Sequence, residues 1–497
     1  MRSSKKEIRY DFHIVIHMPI RFFNSMGNRK EVFKPLEAGE VKMYNCGLTV
    51  YDYPHVGNLR AYTFADTLRR WLEYRGFKVR QVMNFTDVGH ISGDELVASA
   101  GSIDRMEKAA KREHKSVWEI AQFYINQAME NYRKMNFLEP EVRPRATDHI
   151  KEMIEIIEGL IKKGYAYVAN GSVYYDISKF KDYGKLSGNT LEQLKAGAGG
   201  RVEENPDKKN PFDFALWIND PQHIMKWESP WSEGYPGWHI ECSAMSRKYL
   251  GDTLDIHTGA VDNKFPHHEC EIAQSEAFTG KTFCRYWMHL EFLMVNGQKM
   301  SKSLGNFYTL ADLEKKGFSA TGFRYLLLSA HYRSQFNLSD ESLKAAHKTL
   351  ESVYDFIRRV KEIKEGAYNN ELSEKMEEMK TKFEEAMDDD LNSPLALSAM
   401  FEFIHGVNKA IDENKIGEKN AREIYDLFLK LDTALGLRIK ENSEAEKIPE
   451  EIKALAEKRE KLRKEKKFKE ADEIRSQLSE KGWILEDKDG GVRVRRK

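Results

Sequence analysis

Three stretches of the 497-residue chain carry residue types able to do chemistry. Pro54-His55-Val56-Gly57-Asn58 lies between an apolar run and an amphipathic one. A helix starting there aims free N–H groups and a positive dipole end at an anion. His55 can donate to a phosphate oxygen, and Gly57 lets a nucleotide approach the backbone. Taken alone, the pattern equally describes a histidine that merely caps a helix. Lys299-Met300-Ser301-Lys302-Ser303 offers two lysines and two hydroxyls on a short loop. Such a loop can grip a triphosphate whose charge must be stabilised as pyrophosphate leaves; by composition it also fits an ordinary surface loop. The third stretch, Pro266-His267-His268-Glu269-Cys270-Glu271, opens a helix with His267 and Glu271 four apart on one face. Cys46 and Cys242 could complete a two-Cys, one-His, one-carboxylate zinc site. Spacing does not choose among His267, His268, Glu269, Cys270 and Glu271, and thiols that simply fill core are the alternative.

The elements that must position these stretches follow from periodicity. Residues 41–45 (VKMYN) read as a buried strand, 59–75 as a helix with Ala61, Ala65, Leu68 and Leu72 on one face, and 78–85 as a second strand. Gly76 suits the residue that ends the helix. This βαβ unit calls for a right-handed crossover in a parallel sheet. A ligand belongs beyond the carboxyl ends of its strands. Residues 105–137 and 148–163 read as helices, and Asn170-Gly171 between alternating apolar residues as a hairpin. This span breaks the strand–helix rhythm and reads as an insertion, with a mobile loop expected around 195–210. The α/β pattern returns with a strand at 254–259, a helix from 267 to 278 and a strand near 290–296. Beyond Ser339, a good N-cap, nearly everything is helical. A polar linker at 443–450 leads to one charged helix over 451–480 and a strand-turn-strand at 483–496.

Composition narrows the class. The chain is 41% hydrophobic and 32% charged, with Lys+Arg and Asp+Glu equal at 79, so any nucleic-acid partner must be met by local patches. One such patch is Lys458, Arg459, Lys461, Arg463, Lys464, Lys466, Lys467 and Lys469, interleaved with Glu457, Glu460 and Glu465. Trp483 with Arg493, Arg495 and Arg496 reads as a base-stacking and phosphate-binding surface. Four widely spaced cysteines favour thiols or metal ligands over disulfides. No apolar run is long enough to span a membrane and no signal peptide is expected, so the protein reads as cytoplasmic.

Together the words MYNCGLTVYD, NFTDV, PRATDHI, GWHIECSAM, DIHTGAVDNKFPHHECEIAQSEA, YWMH, KMSKSLGNF, HYRSQFN and MDDDLNSP closely resemble the cysteinyl-tRNA synthetases, a family of class I aminoacyl-tRNA synthetases. The resemblance runs from about Met18 to the C-terminus. It implies an α/β fold: a Rossmann-type parallel-sheet catalytic domain with a connective insertion, then a helical bundle and a small C-terminal domain. The implied division is an N-terminal extension without fixed structure (1–17), the two catalytic halves (18–96 and 237–298) and the insertion between them (97–236). The KMSKS loop and stem-contact region (299–338), a tRNA-binding bundle (339–442) and an anticodon-binding region (443–497) complete it.

The resemblance also implies ATP-dependent ligation of L-cysteine to tRNA(Cys) through a cysteinyl-adenylate, by a monomer using one zinc ion per chain and Mg2+ with ATP. It makes Cys46, Cys242, His267 and Glu271 the zinc ligands, with the metal recognising the substrate thiol. His55, Asn58, Lys299 and Lys302 become catalytic, with His55, Gly57, Asn58 and Lys302 contacting ATP. Thr86 and Trp238 line the cysteine pocket. Two positions depart from the family pattern: Asn58 stands where a histidine is usual, and VGHIS follows Thr86-Asp87 in place of an acidic-lysine run. A related ligase that joins cysteine to an amino-sugar inositol lacks the anticodon-binding region. The roughly 150 residues after Ser339 argue against it.

Overall fold

The computed structural model describes residues 19–88, 105–189, 205–300, 305–444, 449–465, 467–488 and 491–496. A hairpin of β1 (Arg21–Asn24) and β2 (Arg29–Val32) leads into β3 (Glu40–Thr49), helix α1 (Val56–Tyr74) and β4 (Lys78–Thr86). β3 and β4 pair in parallel, as the strand–helix–strand reading requires. The helix begins three residues earlier than its apolar stripe predicts because His55 and Asn58 form a reciprocal capping box.

Next come α2 (Arg105–Glu113), α3 (Val117–Lys134) and α4 (Ile150–Lys162). The helical span read over 105–137 is thus made of two helices. His114 turns into the left-handed region (φ 54°), and Ser116 starts a new capped helix with Glu119. Strands β5 (Ala166–Ala169), β6 (Ser172–Tyr175), β7 (Phe214–Asn219) and β8 (Gly234–Pro236) form an antiparallel sheet. The Asn170-Gly171 hairpin is present, both residues at positive φ as a two-residue turn demands.

Helix α5 (Trp238–Leu250), β9 (Leu254–Ala260), α6 (His267–Thr279) and β10 (Cys284–Leu290) complete the main sheet, whose order is β10-β9-β3-β4 with every pairing parallel. The chain builds outward from β3 to β4, then crosses to the other side for β9 and β10. The boundary between β3 and β9 is thus a topological switch point, where open α/β sheets bind ligands. The strand expected near 290–296 is two pieces, the end of β10 and the short β11 (Leu293–Val295). β12 (Gln298–Lys299), α7 (Leu310–Lys315), α8 (Ala320–Leu328) and β13 (Phe336–Leu338) follow.

The rest is helical: α9 (Asp340–Glu362), α10 (Asn370–Asp388), α11 (Ser393–Asp412), α12 (Glu418–Leu435) and α13 (Ile439–Ser443). Buried polar contacts fasten α1 to these elements. Asp66 accepts from Arg70 Nε at 2.8 Å and from Arg324 Nη2 at 2.5 Å, while Arg324 Nε donates to the Leu435 carbonyl at 2.7 Å. Near the end of α1, Asp388 accepts from Trp71 Nε1 (3.2 Å) and Arg75 Nη1 (2.5 Å).

The chain finishes with α14 (Glu450–Lys464), α15 (Phe468–Glu480), β14 (Trp483–Lys488) and β15 (Gly491–Arg496). The one charged helix expected here is again two. Ile452, Ala456, Leu462, Ala471, Ile474, Leu478, Trp483 and Leu485 form a second, small core. Trp483 is 8% exposed inside it, so the expected base-stacking role is wrong: the indole is needed as core. Arg459 is likewise buried (3%) against Glu460, leaving Lys458, Lys461, Arg463, Lys467 and Lys469 as the exposed cations of that patch among the described side chains. No helix among the described residues is long and apolar enough to cross a membrane.

Several expectations lie outside the described residues: the 1–17 extension, most of the 195–210 loop, the altered segment beyond Val88, Ser301-Lys302-Ser303, and Asp489-Gly490. The side chains of Lys464, Lys466, Arg493, Arg495 and Arg496 lie outside them too.

Candidate active site and metal centre

The carboxyl end of β3 is irregular where chemistry is wanted. Its register with β4 slips between Asn45 and Leu48, a bulge that re-aims the intervening residues, Cys46 and Gly47. Gly47 donates its N–H to Asn84 Oδ1 at 2.8 Å. A side chain there would place Cβ 1.5 Å from the Asn84 carbonyl oxygen, so only glycine permits this approach. Cys242 comes from α5 and His267 and Glu271 from the first turns of α6.

One donor atom from each of Cys46, Cys242, His267 and Glu271 lies within 4.8 Å of every other, Cys46 half-buried and the rest buried. His267 Nε2 is 3.0 Å from Glu271 Oε1, and Cys46 Sγ 3.8 Å from the same oxygen. Two thiols, an imidazole and a carboxylate converging on one point are a chemically suitable set for a borderline-soft divalent ion. The electrostatics agree. A hydrogen bond from the Cys46 thiol outweighs burial and lowers the Cys242 thiol to about 6. The Cys46 thiol is pushed up by that same bond and by burial. Burial alone would raise Glu271, but the His257 and His267 imidazoles overcome it and hold the carboxyl at about 2. Against its burial, the anionic donors in turn push the His267 imidazole well above the usual histidine range.

Around these donors stands a layer of imidazoles, of which sequence reading had weighed only His268 and passed over His239, His257 and His289. His257 Nε2 is 2.9 Å from Glu271 Oε2; His239 Nδ1 is 2.9 Å from His267 Nδ1. His268 faces Cys46 Sγ at 3.4 Å and His289 at 2.8 Å, and His289 continues to Ser25 Oγ at 2.8 Å. Burial, reinforced by neighbouring imidazoles, pushes His268 well below the usual histidine range. A second group of donors, Cys46, His257, His268 and Glu271, also lies within 4.8 Å. The alternatives left open by spacing separate here. Cys270 is buried beside Tyr183, and Glu269 turns away to accept the Leu186 and Ser187 N–H groups.

Of the expected pocket residues, Trp238 is half-buried with its ring 4.3 Å from that of His267. Thr86 is buried at the end of β4, its hydroxyl donating to Glu241 Oε2 at 2.9 Å. Burial, with the nearby Cys242, pushes the Glu241 carboxyl well up.

The two nucleotide-type motifs meet. His55 Nδ1 accepts from the Asn58 N–H (3.2 Å), and Asn58 Oδ1 accepts from the His55 N–H (3.1 Å). Because Nδ1 accepts, the ring proton sits on Nε2. The segment just beyond Ser303 runs alongside: His55 bridges Thr309, Val56 N–H donates to the Tyr308 carbonyl at 2.9 Å, and the His55 and Phe307 rings meet edge-on at 5.1 Å. Gly57 faces Met300 so closely that an added Cβ would lie 3.4 Å from Met300 Cε and 2.9 Å from His55 Nδ1. Lys299 is exposed at the end of β12, its ammonium 5.3 Å from the Phe292 ring centroid. Asn306, behind the loop, donates to the Lys299 carbonyl at 3.2 Å.

Three family models match. Residues 32–348 fit the class I (C) tRNA synthetase catalytic domain, 382–440 the DALR domain, and 445–495 the cysteinyl-tRNA ligase anticodon binding domain. A cysteine–tRNA ligase of Carboxydothermus hydrogenoformans is 44% identical over 482 residues, 96% of this chain and 100% of its own. One of Chlorobaculum tepidum is 41% identical over 485 residues, 94% and 97%. Two solved structures share the fold at low identity. Mycobacterium tuberculosis methionyl-tRNA synthetase with methionyl-adenylate has TM-score 0.55 at 14% identity, covering 80% of this chain and 89% of its own. An Agrobacterium radiobacter LeuRS–tRNA–LeuAMS complex has TM-score 0.60 at 10% identity, covering 83% and 86%.

Proposed function

The chain belongs to the cysteine–tRNA ligase family of class I synthetases, and on that premise we propose that it selects its substrate through a zinc ion held by Cys46, Cys242, His267 and Glu271. The reaction is ATP-dependent joining of L-cysteine to tRNA through cysteinyl-adenylate. Convergence of the four donors at the sheet's switch point carries the proposal.

Cysteine and serine differ by sulfur for oxygen, and a shaped apolar pocket rejects such a near-isostere by only about 10²-fold. Zinc in this site would bind a thiolate at neutral pH and leave an alcohol unbound. The chain's own groups do the rest. Thr86, whose proton is engaged by Glu241 and whose oxygen accepts from Asn84 Nδ2 at 3.2 Å, keeps one lone pair for the substrate ammonium. Trp238, lying over His267, walls the pocket. His55 Nε2–H, Asn58, Lys299 and Lys302 bind and neutralise the phosphates of Mg·ATP as charge moves onto pyrophosphate. Cys46, Cys242, His267 and Glu271 would hold the ion, which would supply the affinity for the substrate thiolate; Glu271 is the hardest donor of the four.

Residues 97–236 are read as the connective insertion, 339–442 as the tRNA-binding bundle and 443–497 as the anticodon-binding region of a cytoplasmic monomer acting on tRNA(Cys). X-ray absorption at the zinc edge tests the central claim. An added sulfur scatterer with cysteine but not with serine supports it; an unchanged shell with both refutes it. Pyrophosphate exchange across a panel of amino acids should respond to cysteine alone.

A further inference from the structure

His257 sits on β9 directly opposite Tyr44, two residues before Cys46 on the neighbouring strand. It is fully buried, and its ring orientation is fixed by Trp287 stacked at 4.7 Å and 17° and by Tyr44 edge-on at 5.2 Å. Its Nε2 is 2.9 Å from Glu271 Oε2. A carboxylate only accepts, so Nε2 carries the hydrogen of that bond. Nδ1 then lies buried with no hydrogen-bond partner among the described residues. Folds rarely leave such an atom unsatisfied, and turning the ring to relieve it would break the bond to Glu271.

The two oxygens of Glu271 have separate duties. Oε1 faces His267 Nε2 and Cys46 Sγ, the other members of the four-donor group, while Oε2 points outward to His257. Once His267 Nε2 and Cys46 Sγ are given to an ion, neither donates to Oε1, and among the described residues His257 is left as the hydrogen-bond partner of the carboxylate. From this arrangement, and resting on the zinc reading above, we propose that His257 is a positioning residue: it grips Glu271 by its outer oxygen and presents the inner one to the metal. It also gives the carboxylate a fixed anchor if substrate sulfur displaces it, so that Glu271 can loosen without leaving the site. The competing role is that of ligand to a second ion in the Cys46, His257, His268, Glu271 group.

The test uses the full chain, reading zinc affinity by competition with a chelating dye and folding of the zinc-free chain by thermal melting. His257→Phe keeps a stacked ring and removes the N–H. Its zinc dissociation constant should rise about 10- to 100-fold, as loss of an outer hydrogen bond to a ligand does. His257→Gln restores an N–H and should recover most of that loss. Zinc affinity of H257F within about twofold of wild type overturns the proposal. So does a second zinc equivalent in the wild type that both variants abolish. Should H257F not fold, nitrogen-15 spectra of the zinc-loaded wild type decide: a hydrogen on His257 Nε2 with bare Nδ1 supports the proposal, and the opposite tautomer overturns it. A wild type that binds no zinc at all fails the underlying reading, an outcome distinct from insensitivity of the variants.

Discussion

His55 does two jobs that a single substitution can separate. Its Nδ1 caps α1 by accepting from Asn58, and its Nε2–H is the group proposed to meet phosphate. In His55→Asn, the amide oxygen takes the place of Nδ1, and asparagine is among the best N-caps, so the helix start survives. What is lost is the Nε2–H, together with the ring that meets Phe307. Removing one donor aimed at transition-state charge costs about 10²–10³ in rate, roughly 2.7–4 kcal/mol. His55→Ala loses the donor and the cap as well, the cap adding about 0.5–2 kcal/mol of local destabilisation. Both variants give up the edge contact with Phe307, about 0.5–1.5 kcal/mol, so the cap alone sets their difference in stability. Single-turnover adenylate formation at saturating cysteine and ATP, run beside thermal melts, separates the terms. The expected result is two variants comparably slow but unequally stable. If H55N forms adenylate within about threefold of wild type while H55A is slow and unstable, His55 is only a cap and the catalytic assignment is wrong.

Lys302→Ala should leave cysteine binding intact and lower the rate of adenylate formation, because the lysine charge counts mainly as pyrophosphate leaves; a wild-type single-turnover rate contradicts this. Ending the chain at residue 443 should raise the KM for tRNA with pyrophosphate exchange nearly intact, and unchanged tRNA affinity across a salt titration counts against it. In the zinc-free chain, thiolate absorbance should titrate near 6, the value of Cys242. That thiol lies below its unfolded value of about 8.5, so the stability it contributes is fully present above that pH and is lost as pH falls through about 6. A first thiolate appearing only near pH 8.5 would show that Cys46 and Cys242 do not share a proton.

Much of this site was legible because its residues sit where the backbone pattern is strong. The βαβ unit around α1 and the hairpin at Asn170-Gly171 obey local rules, and both are present. The four proposed ligands, from three separate segments, were chosen by resemblance; spacing could not distinguish Glu269 from Glu271, one residue either side of Cys270. Only the fold shows that Glu269 faces away toward Leu186 and Ser187. α5 went unanticipated because it is buried on nearly every side and so lacks an amphipathic stripe. His257 was invisible for a related reason: a histidine inside an apolar strand declares no partner until strand register sets it beside Tyr44. Trp483 shows the opposite failure, an aromatic assigned to the surface that the small terminal core needed for itself.

Helix α1 also has a mechanical consequence. Its 19 residues span about 28 Å. One end holds His55 and Gly57, Asp66 near mid-length is tied to Arg324, and the far end is bolted through Trp71 and Arg75 to Asp388. It is a stiff rod with a fulcrum. A tilt of roughly 2° about the far end carries the near end through about 1 Å, enough to cost on the order of 100-fold in a reaction that depends on alignment. The tolerance to which the nucleotide is aimed is therefore set partly by the stiffness of a joint at the opposite end of the rod.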